Sequence, residues 1–339
     1  MIYIRADANK TLGSGHIMRC LSIAGALSAK GEKVKFVTAD HDSERLVAGK
    51  YEMICLDSKW DDLSIEEDRM KELLVKDSPD MLILDHYYAD KEYVKKMASI
   101  VRLCVMEYNY PFREACDMLV DYAVGAEKKD VTFLLKPNGS ALLGPTYAPL
   151  RSEFAGMPPK EISFRAGKVL ISTGGGDPLG TAGLLVKAIS EKKDYMPGTK
   201  FMILAGAYNP DLELLEEYSR SCDNIEILTG VSDMPSLMKK ADIAVSAAGS
   251  TLYELCSCGT PTITYILADN QKINAMEFQK KDIMLYAGDC RNDPGAFAEG
   301  LLKMIRGLSE DVLLRKKLSM KMQKYVDGKG SERIARAIL

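Results

Sequence analysis

Met1-Ile2-Tyr3-Ile4-Arg5, followed after a short gap by Gly13-Ser14-Gly15-His16-Ile17-Met18-Arg19, is the stretch whose reading decides the fold. A β-rich opening, a glycine turn, helical spacing of apolar residues over 17–29, a stop at Lys30-Gly31 and a second β-rich run at 33–38 make one βαβ unit. In an open α/β sheet, the helix start after the first strand presents free backbone N–H groups and a partial positive charge to an anion. His16 stands in that turn, and imidazole, with a pKa near neutrality, suits proton abstraction from water or a hydroxyl. The plainer alternative is a turn histidine bonded to its own loop.

The chain has 339 residues, 47% of them hydrophobic and 27% charged, a length that favours two domains over one. A net charge of −3 gives no electrostatic footprint for nucleic acid, so any anion must be captured locally. The eight cysteines are scattered and form no CxxC pair, which reads as reduced, buried thiols. No apolar run reaches the roughly 18 residues of a membrane helix, and the sequence opens on a strand rather than a signal peptide. A cytoplasmic protein without a membrane partner is expected.

Further strands are predicted at 81–84, 101–106 and 118–120, with a helix over 65–76. The rhythm restarts at residue 168: strand 168–172, glycine turn Thr173-Gly174-Gly175-Gly176-Asp177-Pro178 and helix 181–189. Strands follow at 200–205, 225–228 and 243–246, then Ala247-Ala248-Gly249-Ser250-Thr251, a helix over 252–258 and a strand at 261–265. The prediction is α/β, two Rossmann-like doubly wound lobes: a first lobe over 1–150, a linker at 151–167 holding Pro158-Pro159, a second lobe over 168–310, and C-terminal helices over 311–339 that could cross back to the first.

The first turn is not a dinucleotide fingerprint, because Met18 stands where a third glycine is needed, although Asp40 roughly meets the acidic requirement. No Walker sequence is present. The turn Gly249-Ser250-Thr251 suits a diphosphate, since small residues admit it to the helix N-terminus and hydroxyls add hydrogen bonds. Glu254, one turn on, is placed to accept ribose hydroxyls; the plainer reading is a capped helix with a favourable first-turn acid. Gly174 and Gly175 form a second such turn. Asp85-His86 reads either as functional or as a loop-fixing pair. A zinc site from Asp7, His16, Asp85 and His86 lacks metal-ligand spacing, so no metal and no cofactor are expected.

The ordered set Arg5-Ala6-Asp7-Ala8-Asn9, Gly13 to Leu21, Asp85-His86-Tyr87, the run from Gly144 to Phe154, Gly174 to Pro178, Ala247 to Thr251 with Glu254, and Ala268-Asp269-Asn270-Gln271 resembles the PseG family, the UDP-2,4-diacetamido-2,4,6-trideoxy-β-L-altropyranose hydrolases of pseudaminic acid biosynthesis. The resemblance implies a GT-B architecture with a cleft between its lobes. It implies His16 as the base that activates water at the sugar's anomeric carbon, expelling UDP with inversion and without a metal. Tyr87 and Asn270 carry over as substrate contacts, and Asp7, Gly13, Gly15, Arg19 and His86 are expected at the same site. Gly174, Gly175, Gly249, Ser250, Thr251 and Glu254 are the expected UDP site. Glu107-Tyr108 stands where the family carries an aspartate-rich turn. A glycosyltransferase, a UDP-sugar 2-epimerase and a non-enzymatic sugar-nucleotide-binding protein are the alternatives on the same fold.

Overall fold

The structure, a computed structural model, describes residues 1–106, 116–174, 177–192, 195–206 and 209–339. Gly175, Gly176 and the Glu107-Tyr108 turn lie outside the described residues. The chain forms two compact units, Met1–Ala155 with Gly328–Leu339, and Gly156–Asp327.

In the first unit, strands β1 (Ile2–Arg5), β2 (Val34–Thr38), β3 (Glu52–Cys55), β4 (Met81–Leu84), β5 (Leu103–Met106), β6 (Cys116–Asp121) and β7 (Leu135–Leu143) form a parallel sheet in the order β3-β2-β1-β4-β5-β6-β7. Ile2 pairs with Val34 on one side and Met81 on the other. Every residue of β1 and β4 is buried, as their central places require. The helix Gly15–Ser28 lays His16, Ile17, Cys20, Ile23, Ala24 and Leu27 on one side, the spacing of an amphipathic helix, and ends just before Gly31 at φ +91°.

In the second unit, β8 (Lys168–Ser172), β9 (Lys200–Leu204), β10 (Ile225–Leu228), β11 (Ile243–Ala247), β12 (Thr262–Ile266) and β13 (Leu285–Asp289) repeat the plan as β10-β9-β8-β11-β12-β13. In each sheet the order reverses beside its first strand, at β1/β4 and at β8/β11. Those are the points where open α/β sheets leave a crevice at the strand ends.

The expected tail divides. The helix Val312–Tyr325 belongs to the second unit, whereas Gly330–Ile338 contributes Ile334, Ala335 and Ile338 to the core of the first. The return passes through Gly328, at φ +75°, where an added Cβ would stand 2.0 Å from the Phe154 carbonyl oxygen. The expected linker also divides, its one-turn helix Ser152–Phe154 lying in the first unit and the chain from Gly156 in the second. All eight cysteines are unpaired, six of them buried: Cys20, Cys104, Cys116, Cys256, Cys258 and Cys290. Among the described residues no helix is long and apolar enough to cross a membrane.

Candidate functional site

At the switch point of the first unit, β1 leads through a turn into the helix that carries His16 in its first turn, and β4 ends immediately before Asp85. The turn is built by Asn9, whose side-chain oxygen accepts the N–H groups of Thr11 (2.9 Å) and Leu12 (2.8 Å) and whose carbonyl accepts that of Gly13, at φ +72°. From Gly15 the helix starts with no side-chain cap and no acidic residue in its first turn.

His16 Nδ1 lies 2.7 Å from Asp85 Oδ1. Arg19, one turn along, donates Nε–H to Asp85 Oδ2 at 2.5 Å and a second N–H to Oδ1, and reaches the Tyr122 hydroxyl at 2.7 Å. Burial works against the charge of Asp85, but Arg19 and His16 outweigh it and hold the carboxyl well below the usual carboxylate range. An ionised carboxylate only accepts, so the 2.7 Å contact makes His16 Nδ1 the donor, and in the neutral imidazole the lone pair then lies on Nε2. The Arg19 guanidinium, 3.1 Å from the same Nδ1, is then a second donor converging on Asp85 rather than a partner of the ring nitrogen. Among the described residues Nε2 has no hydrogen-bond partner. The half-exposed Tyr87 ring stands edge-on to His16, 4.3 Å between centroids.

Asp85 therefore pairs across the sheet with His16, not with its neighbour. His86 donates Nε2–H to Asp7 (3.1 Å), because its Nδ1 accepts the Tyr88 N–H (3.1 Å). Burial, ahead of the opposing hydrogen bond to Asp7, lowers the pKa of His86 and favours this neutral form. Asp7 also accepts Arg5 (2.5 Å) and the Ala39 N–H (2.8 Å). Burial raises its pKa, yet Arg5 and these hydrogen bonds prevail and bring it down to about 2. Behind them Arg5, with no exposed surface, forks onto Glu66 at 2.7 and 2.8 Å, and Glu66 accepts the hydroxyls of Tyr93 and Ser58, each at 2.8 Å. Asp7 and His86, expected at the substrate, are each 2% exposed with both polar edges engaged. Arg19, expected there too, spends its guanidinium on Asp85 and Tyr122. Sequence reasoning missed Arg5, Glu66 and Tyr93; for Arg5 the available signal was an arginine ending an otherwise apolar strand with an aspartate two residues on.

The switch point of the second unit is different in kind. Gly174, at φ +88°, follows β8, but Asp177 accepts the N–H groups of Thr181 (2.9 Å) and Ala182 (2.8 Å), so its carboxylate already occupies the start of the helix Thr181–Ser190. After β11 the helix Thr251–Cys258 has no such plug. Ser250 makes no side-chain cap, and among the described residues the N–H groups of Ser250 and Thr251 have no hydrogen-bond acceptor. An added Cβ at Gly249 would meet nothing within 4 Å. Glu254 sits half-buried in the first turn of this helix. The buried Thr173 hydroxyl, beside Gly174, has no partner among the described residues and was not anticipated. Asn270 is exposed in the one-turn helix Asp269–Gln271, held by the Leu267 N–H donated to Gln271 (2.9 Å) and by Arg291 on Asp269 (2.8 Å). Among the described residues, the trio with metal-ligand proximity is His41, Cys55 and Asp57, which includes none of the four side chains weighed as zinc ligands.

Two α/β units, each a parallel sheet with a 3-2-1-4-5-6 core order, give the chain the fold of the GT-B class. The chain superimposes on MurG of Acinetobacter baumannii with a TM-score of 0.70 over 99% of this chain and 98% of that one, at 11% identity. Residues 179–327 match the glycosyltransferase family 28 C-terminal domain. Among curated proteins, the chain is 26% identical to an uncharacterized protein of Methanocaldococcus jannaschii over 83% of this chain, spanning 58% of that relative's length. It is 25% identical to the spore coat polysaccharide biosynthesis protein SpsG of Bacillus subtilis, over 98% of this chain and 95% of that one. It is also 25% identical to the UDP-2,4-diacetamido-2,4,6-trideoxy-beta-L-altropyranose hydrolase of Campylobacter jejuni, over 83% of this chain and 96% of that one.

Proposed function

We propose that this protein hydrolyses a UDP-activated diacetamido-trideoxy sugar to UDP and the free sugar, in the biosynthesis of a nonulosonic acid of the pseudaminic type. The observation that carries the reading is the Asp85-held His16, whose Nε2 lone pair is left without a partner among the described residues. In this reading Nε2 takes a proton from water as the water oxygen bonds to the anomeric carbon. The bond from that carbon to the diphosphate oxygen breaks on the opposite face, and its electron pair leaves with UDP. The Ser250 and Thr251 N–H groups and hydroxyls receive the growing diphosphate charge, which is how a helix start stabilises a leaving group without a strong acid or a metal. Glu254 holds the ribose hydroxyls.

Tyr87 and Asn270 touch the sugar, and Gly13 and Gly15 keep the approach to His16 open. Asp85 and Arg19 are positioning residues that fix the tautomer and orientation of His16. Asp7 and His86 act a layer behind, anchoring the Asp85-His86-Tyr87 segment. Support comes from the Campylobacter jejuni hydrolase, similar over most of both chains.

Turnover in heavy-oxygen water tests the reading, with UDP-2,4-diacetamido-2,4,6-trideoxy-β-L-altropyranose as substrate. Label is expected in the sugar and not in UDP; label in the phosphate would mean P–O cleavage and would overturn the mechanism. The family 28 match over residues 179–327 favours a second reading, a transferase in which an acceptor hydroxyl takes the place of water. UDP release that depends strictly on an added acceptor would select it.

A further inference from the structure

The helix Gly15–Ser28 has a second face. Opposite the residues buried against the sheet, Met18, Ser22, Gly25 and Ala29 follow one another at i, i+4, i+7 and i+11 and line a cavity of about 630 Å³. That volume lies in the range of small-molecule sites. The helix Gly330–Ile338 walls it through Ser331 and Arg336, and all of its lining belongs to the first unit.

Gly25 is exposed in mid-helix, where glycine costs roughly 0.5–1 kcal/mol relative to alanine. No close neighbour requires it: an added Cβ would meet only the Tyr51 hydroxyl, at 3.9 Å. What the glycine provides is room. The floor of the space is apolar, from Met18, Leu21, Leu150 and the ring of Tyr51. The rim is cationic. Lys30, Lys50 and Arg336 are exposed and form no ion pair among the described residues, while Arg151 and Glu153 neutralise each other at 2.8 Å, leaving Glu332 as the one uncompensated carboxylate of the lining.

We propose that this cavity binds a small organic anion, a phosphate, sulfonate or carboxylate carried on an apolar or aromatic body. The anionic group meets Lys30, Lys50 and Arg336, and the body lies on Tyr51 and Leu150. Ala155 and Gly328, where the chain leaves the first unit and re-enters it, also line the cavity. An occupant therefore touches both crossing segments and the outer face of the helix that begins with His16. The site is independent of the hydrolytic reading, and its test reads binding rather than turnover.

The test is a fluorescence titration of the full chain with 1-anilinonaphthalene-8-sulfonate. A single saturable site is expected, weakened by salt and retained in excess UDP. Filling the groove with Gly25→Leu/Ala29→Leu, or reversing the rim with Lys50→Glu/Arg336→Glu, should each weaken binding at least about tenfold, a loss of about 1.4 kcal/mol. The rim positions are exposed, so that variant keeps its fold even if the filled one does not, and circular dichroism melting verifies both. Titrations of the rim variant that superimpose on the parent, or displacement of the dye by UDP, would overturn the site. So would sedimentation with anionic vesicles that is lost in the rim variant while the filled variant still binds dye normally, since that outcome makes this face a membrane surface.

Discussion

The two switch points occupy the same place in two similar sheets and are built in opposite ways. In the first unit the crevice is wired with charge: Arg19 and His16 hold Asp85, Arg5 joins Asp7 to Glu66, His86 holds Asp7, and among the described residues the second nitrogen of His16 is left without a partner. In the second, the helix start after β11 carries small residues and hydroxyls with N–H groups uncommitted among the described residues, and its neighbour after β8 is closed by Asp177. A side chain that must meet a reacting atom needs its rotamer fixed, which a buried charge network does at a cost in desolvation. A cradle for a bound anion needs donors kept unspent.

That contrast breaks first at His16. His16→Ala should lower turnover about a hundred- to ten-thousand-fold while UDP affinity is unchanged and the variant, missing one donor to Asp85, still melts cooperatively; a variant that hydrolyses at the parent rate removes the base from the mechanism. Next in size is Glu66→Ala. It leaves buried Arg5 with Asp7 alone, and breaking such a pair costs about 3–5 kcal/mol. In a unit of this size that lowers the melting temperature by about 10 °C, measured by calorimetry.

Acid probes the same network. Asp7 titrates near 2 in the folded chain and near 3.9 when unfolded, so its contribution of about 2–3 kcal/mol is complete above about pH 4 and is lost as the pH falls through 2. His86 adds to the same trend, since its lowered folded pKa means that the unfolded chain takes up the proton first below about pH 6.5. Urea midpoints should therefore begin to fall below about pH 6.5 and drop more steeply between about pH 4 and pH 2, and a flat profile below pH 4 would count against a charged Asp7. The smallest effects belong to the open cradle. Ser250→Ala and Thr251→Ala should each lower kcat several-fold, the worth of about 0.5–1.5 kcal/mol per hydrogen bond, with thermal stability preserved; a rise in KM with kcat unchanged would mean that these hydroxyls bind the diphosphate without stabilising its departure.

The interior of both sheets was legible because a parallel strand covered on both faces shows an unbroken apolar run, as Met81–Leu84 does and as 243–245 do before Ser246. The strands that escaped were β3, β7 and β13, all at sheet edges, where half-exposure dilutes the pattern. β7 even carries Lys136-Pro137-Asn138-Gly139, which reads as a turn. His16 was legible from its place after the first strand. Its partner was not, because Asp85 and His86 are adjacent in sequence yet point to different partners on leaving the strand, as successive strand residues do. Glu66 could not be found that way at all, since its pairing with Arg5 spans sixty-one positions.

The return of Gly330–Ile338 to the first unit has a consequence for synthesis. The second unit is continuous in sequence and can close its core as soon as Asp327 has been made. The first lacks Ile334, Ala335 and Ile338 until later, so the unit begun first is finished last, the reverse of the usual N-terminal-first order. A chain ending at Asp327 should keep the melting transition of the second unit and lose that of the first. The ribosome thus completes the unit with the open helix start before the unit that holds the histidine.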